Sequence, residues 1–193
     1  MPLNANSTDI EVMQRVAAYD SKALEILYTR YSPILYTLIK KIAGDAAFAE
    51  EILTEVFVII WRKVNLFDIY SGNVYTWLIT LARNKAVDMT RRKLKNLKMP
   101  EYTEEYEDRF IVPKLSKQID ALDLTTALSI KKSVESALNK LTDAQQYVIY
   151  LAYYEGLTQK EIAEKLNIPY VTVKSKIKIA SVNLREFLLK GDS

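Results

Sequence analysis

The sequence predicts an all-α protein of two small helical domains joined by an acidic linker, and three observations carry that prediction. Four Gly and five Pro in 193 residues leave few tight turns and little room for a many-stranded sheet. Apolar residues recur at helical spacing before about Lys95 and again after about Ile130. Between them, residues 96–130 hold 4 basic and 7 acidic side chains, Pro100, Pro113 and the run Glu101–Asp108, with no sustained apolar stripe until about Leu122. The flanking segments are mildly basic, with 13 basic against 10 acidic residues over 1–95 and 10 against 7 over 131–193. The expected organisation is therefore a helical domain over 1–95, a linker over 96–130 and a smaller helical domain over 131–193.

Composition then narrows the chemistry. With 49% apolar and 26% charged residues the chain has the balance of a globular protein rather than a disordered one. Zero Cys and zero His remove thiol nucleophiles, disulfides, the commonest general base and the commonest nitrogen ligand for metals. No carboxylate, lysine, tyrosine or serine cluster is arranged for catalysis, so no enzyme, no metal site and no cofactor are expected. Met1 to Asp9 lack the basic start and apolar core of a signal peptide, and the apolar run Val56–Trp61 is far short of the ~20 residues a bilayer requires. A cytoplasmic protein with no membrane insertion of its own is expected.

Along the first domain, Thr8 and Glu11 have capping-box spacing, so a helix should begin near Asp9. Asp20 is placed to cap a second helix that ends at Gly44 and that Pro33 should bend or interrupt. Asp45 caps a third, in which Ala49, Ile52, Leu53, Val56 and Ile60 form one buried stripe. Phe57, Val58 and Trp61 spill beyond it. A helix apolar over more than one face either sits deep in a core or serves a partner as well. Glu50, Glu51 and Glu55, taken alone, are a solvated acidic face.

Asp68 to Asn73 is polar and contains Gly72, and it is expected to be a loop. Beyond it a fourth helix from about Val74 to Lys95 should bury Val74, Trp77, Leu78, Leu81 and Ala82. Asn84, Asp88, Arg91, Arg92 and Lys95 line another face. Residues 83–95 carry Arg83, Lys85, Arg91, Arg92, Lys93 and Lys95 against Asp88 alone, a basic rail that suits phosphates. The plain alternative is a solvated helix end whose cations complement the C-terminal dipole. Trp77 is expected to be buried, and Tyr75 is undecided between core packing and base stacking.

The second domain is more specific. Thr158, Gln159, Lys160 and Glu161 form a capping box that opens a short helix with Ile162, Ala163 and Leu166 inward, and Asn167, Ile168 and Pro169 form the turn. Asn tolerates the left-handed backbone such a turn needs. A further helix runs from about Tyr170 with Val173, Ile177, Ala180 and Leu184 inward, leaving Thr172, Lys174, Ser175, Lys176 and Lys178 available outward. The spacing is that of a helix-turn-helix, and the basic second helix with no acid before Glu186 fits a DNA major groove. Without DNA, the same pattern is a helical hairpin with lysines outward.

Two of these segments resemble a known family. Ala49-Glu-Glu-Ile-Leu-Thr-Glu-Val-Phe57 continuing to Trp61, followed by Tyr75-Thr-Trp-Leu-Ile-Thr-Leu-Ala-Arg-Asn-Lys-Ala-Val-Asp88, is similar to region 2 of the extracytoplasmic-function (ECF, group IV) sigma factors of bacterial RNA polymerase. Leu157-Thr-Gln-Lys-Glu-Ile-Ala-Glu-Lys-Leu-Asn-Ile-Pro169 with Thr172-Val-Lys-Ser-Lys176 resembles their region 4. Departures fall at Thr54, where Gln is usual, at Asn167 and Val171, where Gly is common, and at Lys176, where Arg is usual.

The resemblance implies an alternative sigma factor that directs core RNA polymerase to specific promoters and assists initiation. It implies that Glu51, Thr54, Glu55, Phe57, Val58 and Trp61 meet the beta-prime clamp helices, and that region 4 meets the beta flap. Asp68, Ser71, Asn73, Tyr75, Arg83, Asn84, Arg91 and Arg92 would recognise and melt the minus-ten element, and Thr172, Lys174, Ser175, Lys176 and Lys178 would read the minus-thirty-five element. An anti-sigma factor is a further partner the resemblance allows. The other readings are a stand-alone helix-turn-helix regulator and a sigma-like interaction protein without promoter activity.

Overall fold

The structure, a computed structural model, describes residues 7–67, 73–97 and 131–190. The chain divides into two compact units, 1–123 and 124–193, and the described residues are helical throughout with no strand. The first unit contains α1 (Asp9–Ala17), α2 (Ser21–Ala43), α3 (Ala46–Lys63), a single 3-10 turn (Val64–Leu66) and α4 (Val74–Leu94). The second contains α5 (Lys131–Asn139), α6 (Asp143–Tyr153), α7 (Gln159–Leu166) and α8 (Tyr170–Lys190). The loop expected over Asp68–Asn73 is outside the described residues up to Gly72, and the expected linker lies outside them from Lys98 onward.

Local capping sets the helix starts. Thr8 Oγ1 accepts from the Glu11 N–H at 3.3 Å while the Glu11 carboxylate accepts from the Thr8 N–H at 2.8 Å, and these bonds hold the Glu11 carboxyl below its ordinary pKa. The first helical residue, Asp9, then reaches α2: its carboxylate pairs with Arg30 and accepts from the hydroxyl of the fully buried Tyr31. Asp20 caps α2 through the Lys22 N–H at 3.0 Å, and Gly44 ends it at φ +73° with its N–H donating to the Lys40 carbonyl at 2.9 Å.

Of the two outcomes expected at Pro33, a bend or an interruption, the second does not occur: α2 runs unbroken from Ser21 to Ala43. The loss of one backbone donor is outweighed by burial on both sides of it, because Ala23, Leu27, Tyr31, Leu35 and Ile39 make one fully buried stripe along the same helix. Pro33 itself lies on the exposed face. Packing on that stripe makes α2 the central element of the unit, in contact with α1, α3 and α4.

The second unit is organised around α8, which contacts α5, α6 and α7. Its core joins Val148 and Leu151 of α6, Ile162 and Ala163 of α7 and Val173 of α8, closed by Leu157, Leu166, Ile168 and Ile177. The sequence reading did not delimit α5 or α6. The local signal for α6 is a capping box, in which Thr142 Oγ1 accepts from the Gln145 N–H at 3.4 Å and the Gln145 side chain accepts from the Thr142 N–H at 3.1 Å.

Candidate polymerase and DNA interfaces

On α3 the expected stripe is buried: Ala49, Ile52, Val56 and Ile60 are fully inaccessible and Leu53 is 7% exposed. Asp45 caps the helix by accepting from the Phe48 N–H at 2.7 Å. The residues expected to meet a protein partner separate by depth. Glu51, Thr54 and Val58 are exposed, and Glu55 and Trp61 are half-buried. Positions 51, 54, 58 and 61 share one face of the helix. Phe57 is a correction. It is only 7% exposed and packs under the Tyr28 ring of α2 at 4.8 Å between centroids, so it supports this surface from below and does not lie on it.

The surface that α3 presents extends onto α2, which the sequence reading did not include. Trp61 meets the edge of Tyr19 at 5.5 Å, and Tyr19 sits in the left-handed region at φ +59°, uncommon for an aromatic residue. Tyr28, Pro33 and Tyr36 of α2 face Glu50, Leu53 and Thr54 of α3 across an open groove. Tyr28 and Tyr36, eight residues apart on one helix, were the available sequence signal. Thr54 turns its hydroxyl back to the Glu50 carbonyl, donating to it at 2.9 Å.

Glu55 and Lys85 form the one ion pair in which a fully buried charge takes part among the ion pairs described. Lys85 of α4 is 1% exposed and its ammonium is paired with the Glu55 carboxylate of α3, whose side chain is 30% exposed. Two expectations change with it. Lys85 is not part of the rail, and Glu55 is engaged inside its own unit. The physical reason is that Lys85 falls on the inward face of α4 with Leu78, Leu81, Ala82 and Met89, where a buried charge needs compensation and the Glu55 carboxylate of α3 supplies it.

Along α4 the apolar face is as expected, with Val74, Trp77, Leu78, Leu81 and Ala82 all buried and Trp77 set edge-on to Phe67 at 5.6 Å. Asn73 caps the helix, its Oδ1 accepting from the Thr76 N–H at 2.9 Å. That oxygen is committed to the cap, and it also accepts from the Thr76 hydroxyl at 3.2 Å. Asp68 and Ser71 lie outside the described residues. Tyr75 is half-buried, and burial raises its phenol pKa, so the hydroxyl remains a neutral donor near neutral pH.

The rail itself is partly organised. Arg83 donates to Asn84 Oδ1 at 3.0 Å, and Arg92 Nε donates to the Asp88 carboxylate at 2.8 Å one turn away. Asn84, Asp88, Arg91 and Arg92 are all half-buried, and Lys95 is exposed beyond them. Lys93 turns to the other side and sits 4.1 Å from the Phe48 ring centroid, a cation–π contact onto α3. What is left on this part of the helix is a short row of half-buried guanidinium and amide groups.

The helix-turn-helix forms as read. Thr158 and Glu161 exchange the two capping bonds at 3.3 and 2.8 Å, and Asn167 closes α7 at φ +51°. The Ile168 N–H then reaches back to the Ala163 carbonyl at 3.1 Å. On α8, Val173 and Ala180 are fully buried, while Ile177 and Leu184 are half-buried. Lys174, Ser175 and Lys178 are exposed, and Thr172 and Lys176 are half-buried at the flanks. Replacing Asn167 by Ala should cost this unit about 1 kcal/mol through the left-handed backbone, whereas Asn167→Gly should leave it nearly unchanged. Urea denaturation of the two variants measures the difference.

Comparison with known proteins follows the same division. Residues 27–95 match the Sigma-70 region 2 family and residues 137–186 match Sigma-70, region 4. The ECF RNA polymerase sigma factor SigK of Mycobacterium tuberculosis (strain ATCC 25618 / H37Rv) is 30% identical over 184 residues, covering 94% of this chain and 95% of that protein. SigK of Mycobacterium sp. (strain KMS) is 30% identical over 174 residues, covering 89% and 86%. Among solved structures, Rhodobacter sphaeroides SigE in complex with the anti-sigma ChrR is 26% identical, covers 95% of this chain and 99% of its own, and superimposes with a TM-score of 0.46. With relatives at that identity spanning nearly its whole length, and with both family regions matched in order, the chain belongs to the ECF RNA polymerase sigma factors.

Proposed function

We propose that this alternative sigma factor divides its work among three surfaces. The outward face of α3, with Glu51, Thr54, Val58 and Trp61 and the adjoining tyrosines of α2, docks on core polymerase. Tyr75, Arg83, Asn84, Arg91 and Arg92 of α4 hold the opened minus-ten strand, and the outward face of α8 reads the minus-thirty-five duplex. Residues 1–95 and 131–193 are the two working domains, with 96–130 as the linker between them. The protein carries no bond-changing chemistry of its own and acts in the cytoplasm, where the polymerase is.

The observation that supports this division best is in the first unit, where one bundle carries an acidic and aromatic face on α3 and a basic row on α4. A stand-alone DNA-binding regulator has no need of the first of these. The deciding experiment is run-off transcription by purified core polymerase on fragments of the source genome, with and without the chain. Promoter-specific transcripts that require the chain support the reading. Failure to bind core polymerase overturns it in favour of a stand-alone regulator, and binding without initiation overturns it in favour of an interaction protein.

Two consequences can be measured directly. Lys174→Ala and Lys178→Ala should each weaken duplex promoter binding and lower its salt slope by about one charge for each phosphate that is no longer neutralised. Val58→Glu and Trp61→Ser should weaken core-polymerase affinity with an unchanged circular dichroism spectrum, because both side chains are accessible. If neither variant changes that affinity, the docking face lies elsewhere.

A further inference from the structure

The outward face of α8 is not uniformly polar. Val171, Lys174, Ser175 and Lys178 fall at i, i+3, i+4 and i+7, so they form one stripe along the helix. All four are exposed, whereas Thr172 and Lys176 are half-buried to either side. Val171 begins that stripe and is 72% exposed, the most exposed large apolar side chain among the described residues of the second unit. Core packing does not require it. Its neighbour Val173, two positions on, is fully buried and supplies the core contact instead.

The position of Val171 matters as much as its exposure. In a helix that enters the major groove, the first turns are those that contact base edges, and the later ones follow the backbone. Lys174 and Ser175, one turn beyond Val171, are residue types that bond phosphates and base edges. A valine beside them offers two methyl groups and no hydrogen bond. Because a β-branched side chain in a helix is held largely in one rotamer, those methyls are presented rigidly. Among the four bases, only thymine places an apolar group, its 5-methyl, on the major-groove edge.

We infer that Val171 is a specificity-determining residue that reads the 5-methyl group of a thymine in the upstream promoter element. The inference rests on the reading of α8 as the minus-thirty-five reader, and it adds a base identity to it. Lys174, Ser175 and Lys178 supply polar contacts along the same stripe, and Val171 supplies the apolar contact that selects a thymine at one position. Uracil at that position pairs normally with adenine but leaves the methyl contact unmade.

The test uses full-length protein in holoenzyme with core polymerase, and as probe a duplex promoter fragment recovered by the run-off experiment. Each thymine of the upstream element is replaced in turn by uracil, which removes only the methyl group. At one position the replacement should weaken binding of the wild-type holoenzyme about fourfold, the equivalent of roughly 0.8 kcal/mol for one buried methyl. Val171→Ala should weaken binding of the unmodified duplex by a similar factor and be indifferent to uracil at that one position, while responding normally at all others. Alanine favours the helix, so a folding defect is not expected from this variant.

An upstream element with no thymine, or effects of Val171→Ala and uracil that simply multiply at every position, would overturn the inference. A holoenzyme that shows no dependence on the upstream element at all would instead overturn the assignment of α8 on which it rests. The two failures are separated by the Lys174→Ala and Lys178→Ala variants, which lose affinity in the first case and are silent in the second.

Discussion

Glu55→Ala should destabilise the first unit by about 3 kcal/mol, the largest effect expected of any substitution on the α3 surface. The variant removes the carboxylate paired with Lys85, whose own side chain is only 1% exposed. Breaking a buried pair from one side typically costs 3–5 kcal/mol, and the lower end applies because the Glu55 side chain is itself 30% exposed. With a urea slope of about 2 kcal/mol/M for a domain this size, the midpoint should fall by roughly 1.5 M.

Removing the other partner should cost less. Lys85→Met keeps the apolar stem that fills the space between α3 and α4, and it leaves a carboxylate that water can partly reach. A loss of about 1 kcal/mol is expected. The order of the two effects is the signature: equal or reversed losses would show that packing of the lysine stem, rather than compensation of its charge, is what joins the two helices. The same comparison separates a stability effect from a docking effect at Glu55, since Lys85, at 1% exposure, is out of reach of a docking protein.

The second large effect concerns promoter opening. Tyr75→Leu keeps an apolar side chain in the half-buried site but removes the ring, and Arg91→Ala with Arg92→Ala removes two charges from the row beyond it. Core-polymerase binding should be near normal in both, because neither group lies on α3. Loss of one stacked base costs about 1–3 kcal/mol, or roughly 5-fold to more than 100-fold in occupancy of the opened promoter. The i, i+4 pair between Arg92 and Asp88 contributes only about 0.5 kcal/mol, so a large effect of the double variant would come from DNA and not from the helix.

A template already mismatched across the minus-ten region distinguishes the two roles. The arginine variant, if defective in melting, should regain much of its activity there, while a variant that no longer retains the unstacked base should not. Permanganate reactivity of unpaired thymines follows opening directly. Normal opening of a fully paired promoter by both variants would remove α4 from the melting machinery.

Much of this protein is local in origin. Thr8, Asp20, Asp45 and Thr158 start their helices with side-chain bonds made to residues two or three positions away, and Gly44 and Asn167 end theirs through a single left-handed residue. Such features depend on near neighbours alone, so spacing in the chain reveals them. The buried stripes of α3 and α4 and the inward line of α8 follow from the 3.6-residue period for the same reason. That α2 continues unbroken through Pro33 was not legible, because a proline's local cost is visible in sequence, whereas the fully buried stripe that outweighs it depends on three other helices.

What the tertiary structure alone decided is which outward-looking residues are outward. Phe57 and Trp61 are adjacent in the apolar overflow of α3, yet the first goes under Tyr28 and the second stays half-exposed against Tyr19. Lys85 sits between Asn84 and Ala86 in a run of cations, yet it is buried and paired with Glu55 of another helix. Each of these outcomes depends on a contact between residues about thirty or more positions apart. Helical periodicity assigns a residue to a face of its own helix, but the neighbour that covers or leaves open that face is set by how the helices pack.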